Sequence, residues 1–352
     1  MFEVCLRVRV HLWLSPLINA CACLCRPNRD NRTMKKAFLL ALLAGPCLVF
    51  SGCDQKSHSS STAVRTIAVI PKGTTHIFWR AVHAGAQKAA DDLGCRIYWN
   101  GPERETDRER QIQIIEDFLV QKVDGIVLAP LDRQALIPSV EKLAGLKMPC
   151  AIIDSGIDTD KYLCFAATDN YQGGVIGARR MAEILGGRGK VIVVKYVPGS
   201  GSTTERENGF MDTINKEFKG IEIVDAKYAQ DTVETALQAT EDLLTRHPNL
   251  QGLYACCAPV AVGALQAIQS QKRTEIKMVG FDAEKGLIEA VRGGQIDSLV
   301  VQNPFKMGYE GVRAVMSSIN GQPVPKRIDT GVELVTKANV DEQKIKDLIK
   351  LQ

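Results

Sequence analysis

Apolar strand-like runs alternate with amphipathic stretches along most of the chain, and this alternation limits the possible folds more than any other feature. In the first unit, the β-branched run 66–70 ends at Pro71. Apolar and small residues then recur at helical spacing over 78–93, and Gly94 closes the helix. Repeated pairs of this kind are typical of a parallel sheet covered by helices on both faces. We therefore predict an α/β protein with a doubly wound sheet.

The alternation breaks once, and the break predicts two lobes. The strand-like run 162–168 follows the strand predicted over 149–154 without a helix between them. A helix predicted over 171–185 then starts a second series, which includes helices over 205–217 and 260–269 and ends with a short return strand near 328–334. Two similar sheets joined by the chain leave a cleft, and closure of that cleft around a small ligand is the hinge motion expected of such a pair.

Composition and charge exclude some classes of partner. The chain has 352 residues, of which 45% are hydrophobic and 24% charged, which is ordinary for a globular protein of two domains. Residues 1–52 carry seven Lys or Arg and two Asp or Glu, so residues 53–352 carry 37 basic and 38 acidic side chains, a formal charge of −1. A nearly neutral chain argues against nucleic acid as a partner.

The front of the chain predicts export and attachment to a membrane. Residues 34–52 combine a basic start, an apolar run and a small Ser-Gly pair before Cys53, and this pattern resembles a bacterial lipoprotein signal. The resemblance implies cleavage before Cys53 and lipidation of that cysteine. A membrane-spanning helix is disfavoured because the apolar run is short and contains Pro46. Residues 1–33 are interpreted as an over-extended start or a long leader, and the polar, Ser-rich residues 53–65 as a tether.

No metal, cofactor or nucleophile motif stands out. The cysteines after Cys53 show no C-x-x-C spacing, so a zinc or redox motif is disfavoured, and Cys95, Cys150 and Cys164 are expected to be buried small hydrophobic residues. The glycine-rich segments 186–190 and 199–202 match neither a phosphate loop, a dinucleotide fingerprint nor a nucleophile elbow. We therefore expect a binding protein with no cofactor, not an enzyme.

Polar and aromatic residues stand just beyond the predicted strand ends, where open parallel sheets bind ligands. Each alone is an ordinary loop residue, and Arg206 could simply pair with Glu205 or Glu207 on a solvated helix start. Together they offer rings for C–H faces and planar polar partners, as a polyhydroxylated ligand requires. These residues are Phe78, Trp79, Asp154, Arg206, Cys256, Cys257, Asp282 and Gln302.

From about Thr66 onward, the chain resembles the periplasmic sugar-binding proteins of ABC importers, especially the ribose-binding type, and also the sensor domains of sugar-responsive repressors. The resemblance implies a type I periplasmic binding protein fold with three crossovers, near Thr168/Asp169, Gln302/Asn303 and Gly331. It implies an N-terminal lobe of 66–168 plus 303–330 and a C-terminal lobe of 169–302 plus 331–352. The matching segments are 83–87 (HAGAQ), 168–174 (TDNYQGG), 205–210 (ERENGF), His247-Pro248, 279–282 (VGFD) and 302–304 (QNP).

The resemblance also implies a set of ligand-binding residues. The family's ring-stacking aromatics correspond to Phe78 and Trp79. Three positions depart from the family, which has asparagine, arginine and asparagine where this chain has His76, Ser155 and Cys257. The loss of these donors means that either the ligand differs from ribose or waters fill in. The family's hydroxyl-binding residues correspond to Asp154, Arg206, Asp282 and Gln302.

The function expected from these features is that of a monomeric, lipid-anchored periplasmic receptor that closes on a sugar and delivers it to an ABC transporter permease. A repressor is disfavoured because an export signal, not a DNA-binding motif, precedes the domain. Two alternatives stay open: a sugar-sensing receptor partnered with a histidine kinase, and a binder of a non-sugar polar small molecule.

Overall fold

A computed structural model of the chain describes residues 64–350. The predicted leader, the signal peptide 34–52, Cys53 and nearly all of the tether lie outside the described residues. No helix within residues 64–350 is both long enough and apolar enough to cross a bilayer.

The described residues form strands and helices in regular alternation. The strands are β1 (Thr66–Ile70), β2 (Arg96–Trp99), β3 (Gly125–Leu128), β4 (Cys150–Ile153), β5 (Cys164–Ala167), β6 (Gly189–Lys195), β7 (Ile221–Tyr228), β8 (Gly252–Ala255), β9 (Lys277–Phe281), β10 (Ser298–Gln302), β11 (Arg327–Asp329) and β12 (Val332–Thr336). The helices are α1 (Ile77–Leu93), α2 (Arg108–Val120), α3 (Ile137–Gly145), α4 (Asn170–Ile184), α5 (Gly201–Glu217), α6 (Val233–Arg246), α7 (Ala258–Ser270), α8 (Lys285–Gly293), α9 (Pro304–Ile319) and α10 (Gln343–Lys350).

The strands form two six-stranded sheets, as predicted for a doubly wound protein with two lobes. The first sheet has the order β11-β5-β4-β3-β1-β2 and is parallel throughout. The second has the order β12-β10-β9-β8-β6-β7 and is parallel except for the pairing of β12 with β10. Below, the first lobe means the first sheet with its helices, and the second lobe means the second sheet with its helices.

Three details of the predicted elements are wrong. The single return strand near 328–334 is two strands, because Thr330 and Gly331 carry the chain from the first sheet to the second. Helix α5 begins at Gly201 and not at 205, because Ser200 adopts the extended conformation of an N-cap, a position that serine favours. Helix α7 begins at Ala258 and not at 260. Pro259 does not delay the start, because backbone N–H groups in the first turn of a helix have no partner within the helix and a proline there loses no hydrogen bond.

Apolar side chains from both faces of each sheet build the cores. In the first lobe, Val69 and Cys164 belong to the core on one face, whereas Ile70 and Cys150 belong to the core on the other. Helix α9 returns from the second lobe to pack against α1 and the first sheet. The central strands are buried on both faces, as expected for parallel sheets, so the polar groups at their carboxyl ends are held by rigid elements.

The chain passes between the lobes three times, and two of the connecting helices are capped immediately after the crossover. Asp169 accepts a hydrogen bond from the backbone N–H of Gln172 at the start of α4, and Asn303 does the same for Lys306 at the start of α9. The hydroxyl of Thr168 donates to the carbonyl of Gly331 over 3.0 Å, which ties the first crossover to the third. The lobe boundaries expected from the resemblance stay a prediction.

Candidate functional site

A cavity lies between the lobes, beyond the carboxyl ends of strands from both sheets. The first lobe contributes two aromatic rings, a lysine and two carboxylates, and the second lobe contributes an arginine, a tyrosine and a third carboxylate. The lining residues are Lys72, His76, Phe78, Trp79, Glu105, Asp154, Tyr196, Ser202, Thr203, Arg206, Cys257, Ala258, Pro259, Asp282 and Gln302.

One aspartate from each lobe holds an equivalent position in the cavity wall. Asp154 follows β4 and Asp282 follows β9, and both have left-handed backbones, with φ of 60° and 69°. Such conformations are uncommon for residues other than glycine and concentrate at functional sites. Gln302 donates to Asp282 over 2.7 Å, and the N–H of Ala258 donates to the same carboxylate over 2.9 Å. The Asp282 carboxylate is therefore held in one orientation.

Arg206 lies at the floor of the cavity and is only 2% exposed. Its Nε donates to Oδ1 of Asn170 over 2.8 Å, and its Nη1 donates to the Cys256 carbonyl over 3.1 Å. Its guanidinium also stacks 4.1 Å from the ring centre of Phe281. These contacts exclude the alternative in which Arg206 is a solvated side chain at a helix start.

Close packing of two helices places Arg206 beside Asn170. A Cβ at Gly174 would lie 2.1 Å from the Arg206 carbonyl oxygen, and a Cβ at Gly209 would lie 2.1 Å from the Tyr171 carbonyl oxygen. Only glycine at both positions lets α4 and α5 approach this closely.

An aromatic and acidic wall lies on the opposite side of the cavity. Phe78 and Trp79 meet edge to face at 5.1 Å, and Nε1 of Trp79 donates to Oε1 of Glu105 over 2.6 Å. Tyr196 of the second lobe lines the same cavity, and its buried hydroxyl has no hydrogen-bond partner among the described residues. Burial raises the pKa of Tyr196 well above its usual value, so its hydroxyl stays protonated. Glu105 keeps lone pairs that can accept hydrogen bonds from ligand hydroxyls.

Lys72 connects the lobes at the centre of the cleft. Its ammonium group lies 2.9 Å from Oδ2 of Asp154 and donates to the Ser202 hydroxyl over 2.9 Å and the Ser200 hydroxyl over 3.3 Å. Lys72 and Asp154 are each only 3% exposed, and both belong to the first lobe. The two serines belong to the second lobe, so these hydrogen bonds join the lobes directly.

Further contacts hold the lobes together around the cavity. The side chains of Arg104 and Thr106 bind the Asp231 carboxylate across the cleft mouth. Nε2 of His76 lies 3.1 Å from the Asp231 carbonyl oxygen, which can only accept, so Nε2 is the protonated nitrogen. The backbone N–H of Ser202 donates to the Ser155 hydroxyl over 2.8 Å. The structure is thus the closed arrangement of the two lobes.

The structure brings eight of the nine predicted ligand-binding residues to this cavity. Ser155 is the exception, because its side chain binds Ser202 behind the wall. In the part of the chain that the structure describes, no cluster of three His, Cys, Asp or Glu side chains could hold a metal ion.

Sequence reasoning missed five polar residues of the cavity: Lys72, Glu105, Tyr196, Ser202 and Thr203. Lys72 follows β1 and Pro71, and Tyr196 directly follows β6, so the rule that found Asp154 also applies to them. Glu105 lies in the loop between β2 and α2, where no pattern sets it apart from neighbouring acidic residues. The resemblance to the ribose-binding type did not include these residues.

Comparisons with known proteins agree with this arrangement. The sequence-family model of the periplasmic binding protein domain matches residues 67–323 of this chain. The ribose import binding protein of Bacillus subtilis is 27% identical over 281 residues, covering 80% of this chain and 90% of the relative. A carbohydrate transporter solute-binding protein from Agrobacterium radiobacter, solved with D-arabinose, is 36% identical with a TM-score of 0.79, covering 82% of this chain and all of that one.

A second solved structure is similar to the same extent. An ABC transporter solute-binding protein from Agrobacterium vitis, solved with D-fucose, is 37% identical with a TM-score of 0.78, covering 81% of this chain and 99% of that one. The family model spans well over half of the chain, and the relatives are matched over almost their whole length. The chain belongs to the periplasmic binding protein domain family.

Proposed function

We propose that this protein is an extracytoplasmic receptor that binds a neutral monosaccharide in the interlobe cavity and delivers it to an ABC transporter permease. The observation that carries the proposal is the composition of the cavity wall, in which two aromatic rings face hydrogen-bonding side chains from both lobes. A monosaccharide ring needs an apolar surface for its C–H face and oriented polar groups for its hydroxyls. Similarity to proteins solved with D-arabinose and D-fucose supports this assignment.

The charges in the cavity favour a neutral ligand. Lys72 is paired with Asp154, and Arg206 lies 4.0 Å from Asp282, so neither cation is left over for a phosphate or carboxylate on the ligand. Glu105 receives its hydrogen bond from the neutral indole of Trp79. An anionic sugar would add charge to a buried site that already holds three carboxylates and two cations.

Direct contacts between the lobes favour a single sugar unit. Lys72 binds Ser202 beside the cavity, and Arg104 binds Asp231 at the cleft mouth. These contacts join the two walls of the cleft, so a longer saccharide would have to displace them.

A ligand screen tests this proposal. Thermal unfolding should shift upward with at least one neutral sugar among D-arabinose, D-fucose, D-ribose and D-allose, because a ligand that binds only the folded state stabilises it. A sugar phosphate, a uronic acid and an amino sugar serve as matched charged controls. Preferential binding of a charged member would refute the neutral-ligand assignment, and recovery of a chemically altered sugar would refute a non-catalytic receptor.

The membrane attachment is proposed from the sequence alone. We propose that the signal at 34–52 directs export, that Cys53 is lipidated, and that 53–65 tethers a monomeric receptor in the periplasm next to its permease. In cells that express the full chain, Cys53→Ser should release the protein from membranes or leave it unprocessed. Membrane partition and processing that both match the parent would refute lipidation.

A further inference from the structure

Two adjacent cysteines, Cys256 and Cys257, lie in the wall of the cavity. Cys256 follows β8, and Cys257 is the N-cap of α7 with an extended backbone and no capping hydrogen bond from its side chain. Cys256 is fully buried, whereas Cys257 is 6% exposed and lines the cavity. Both are free thiols.

The other described cysteines have no such neighbour. Cys150 and Cys164 belong to cores on opposite faces of the first sheet, so the sheet itself separates their thiols. Cys95 directly precedes β2 at one edge of that sheet, whereas Cys164 lies in β5 near the opposite edge. Cys256 and Cys257 are therefore the pair in residues 64–350 that can react with each other without rearrangement of a sheet.

We propose that Cys256 and Cys257 form a reversible disulfide between neighbouring residues, which acts as a redox switch in the wall of the ligand cavity. Neighbouring Cα atoms across a trans peptide lie about 3.8 Å apart, below the usual range of about 4.4–6.8 Å for a disulfide. A bond held at this separation is strained, and strained disulfides are the readily reduced ones. Such a bond is suited to switching and not to permanent cross-linking.

The surrounding groups support a two-step exchange with an external disulfide, RSSR, as the oxidant. The Cys257 thiol, which faces the cavity, gives its proton to solvent, attacks one sulfur of RSSR and releases the first RS⁻. The Cys256 thiol lies 3.5 Å from Oε1 of Glu207, which accepts its proton as Cys256 attacks the Cys257 sulfur and releases the second RS⁻. The two cysteines lose two electrons and two protons, and RSSR becomes two RSH.

Glu207 is suited to this role because burial raises the pKa of its carboxyl, which makes its carboxylate a stronger base. Burial also raises the pKa of the Cys256 thiol well above its usual value, so Cys256 needs a base at hand before it can react.

The disulfide would change the ligand site because the dipeptide and the residue that follows it support two residues of the site. The Cys256 carbonyl accepts from Arg206, and the N–H of Ala258 donates to Asp282. Closing a ring between adjacent side chains requires new backbone torsions at the dipeptide, which reposition both partners. This consequence rests on the proposed sugar-binding function, whereas formation of the disulfide does not.

Peptide mapping of the full chain tests the disulfide without any sugar. Trypsin releases 247–272, a peptide whose only cysteines are Cys256 and Cys257. After treatment of the reduced protein with oxidised glutathione, this peptide should be lighter by two hydrogen atoms and resist alkylation until a reductant is added. Cys256→Ser and Cys257→Ser should each abolish the mass loss, whereas Cys150→Ser should keep it. Full alkylation of both thiols, or a stable glutathione adduct on Cys257 of the parent, would overturn the proposal.

Calorimetric titration of D-arabinose into the oxidised and reduced forms tests the coupling to the site. We expect dissociation constants that differ by at least about threefold in the parent and are equal in Cys256→Ser. A smaller difference in a protein with the mapped disulfide would overturn the switch. Absence of sugar binding with the disulfide present would count against the proposed function alone.

Discussion

Replacement of Lys72 by methionine separates the two roles that the structure gives this residue. The side chain keeps most of its length but loses its charge, so the 2.9 Å contact with Asp154 and the hydrogen bonds to Ser202 and Ser200 are all removed. The contact with Asp154 lies within the first lobe, so we expect it to persist when the cleft opens. The contacts with the serines join the lobes and exist only when the cleft is closed.

The two roles predict two separate measurements. Removal of one partner from a buried ion pair costs about 3 kcal/mol, so the free energy of unfolding of Lys72→Met should fall by about that amount. A hydrogen bond from a charged donor contributes about 1.5–3 kcal/mol. We take about 2 kcal/mol for the contacts that form on closure, because the one with Ser200 is long, and this weakens sugar binding about thirtyfold.

Urea unfolding and calorimetric titration with the sugar that binds most tightly provide the two readouts. Ser202→Ala is the matched variant, because it removes an interlobe partner and keeps Lys72 paired with Asp154. It should weaken binding about tenfold while the free energy of unfolding stays within about 0.5 kcal/mol of the parent. If Lys72→Met binds the sugar as tightly as the parent, Lys72 does not couple closure to ligand binding and the reasoning fails.

Three further changes test other parts of the site. Arg206→Ala should weaken sugar binding about thirtyfold to a hundredfold, which corresponds to about 2–3 kcal/mol. If calorimetry gives an affinity within about twofold of the parent, Arg206 does not contact the ligand. Burial raises the pKa of Glu207 above its ordinary 4.5, so the folded protein holds this proton more tightly than the unfolded chain does. The free energy of unfolding should therefore decline as the pH rises from 4.5 through the raised pKa, and urea titrations of Glu207→Gln should not show this decline. Asp231→Ala removes the partner of Arg104 and Thr106 at the cleft mouth, which should favour the open form of the unliganded protein. Small-angle X-ray scattering should then report a larger radius of gyration. An unchanged radius would mean that Asp231 does not help to hold the cleft closed.

Local pattern was sufficient to predict the fold and a large part of the site. Strand runs such as 67–70 are apolar at every position because parallel strands are buried on both faces, and this property is visible in the order of residues. Carboxyl ends of parallel strands meet at one edge, so the positions of Asp154 and Asp282 directly after strands were enough to predict that they share a cleft. The prediction of a doubly wound fold with two lobes is confirmed.

Local pattern could not reveal contacts between residues far apart in the chain. Lys72 meets Ser202 across 130 residues, and Trp79 meets Glu105 across 26, so no periodicity links them. The run 328–334 is apolar enough for one strand, yet its division between two sheets depends on where the first and third crossovers come together. The sequence by itself thus determined which residues stand at the strand ends. Only the tertiary structure decided which of them are paired and buried, because the partners of a charge in a closed cleft come from the other side of the fold.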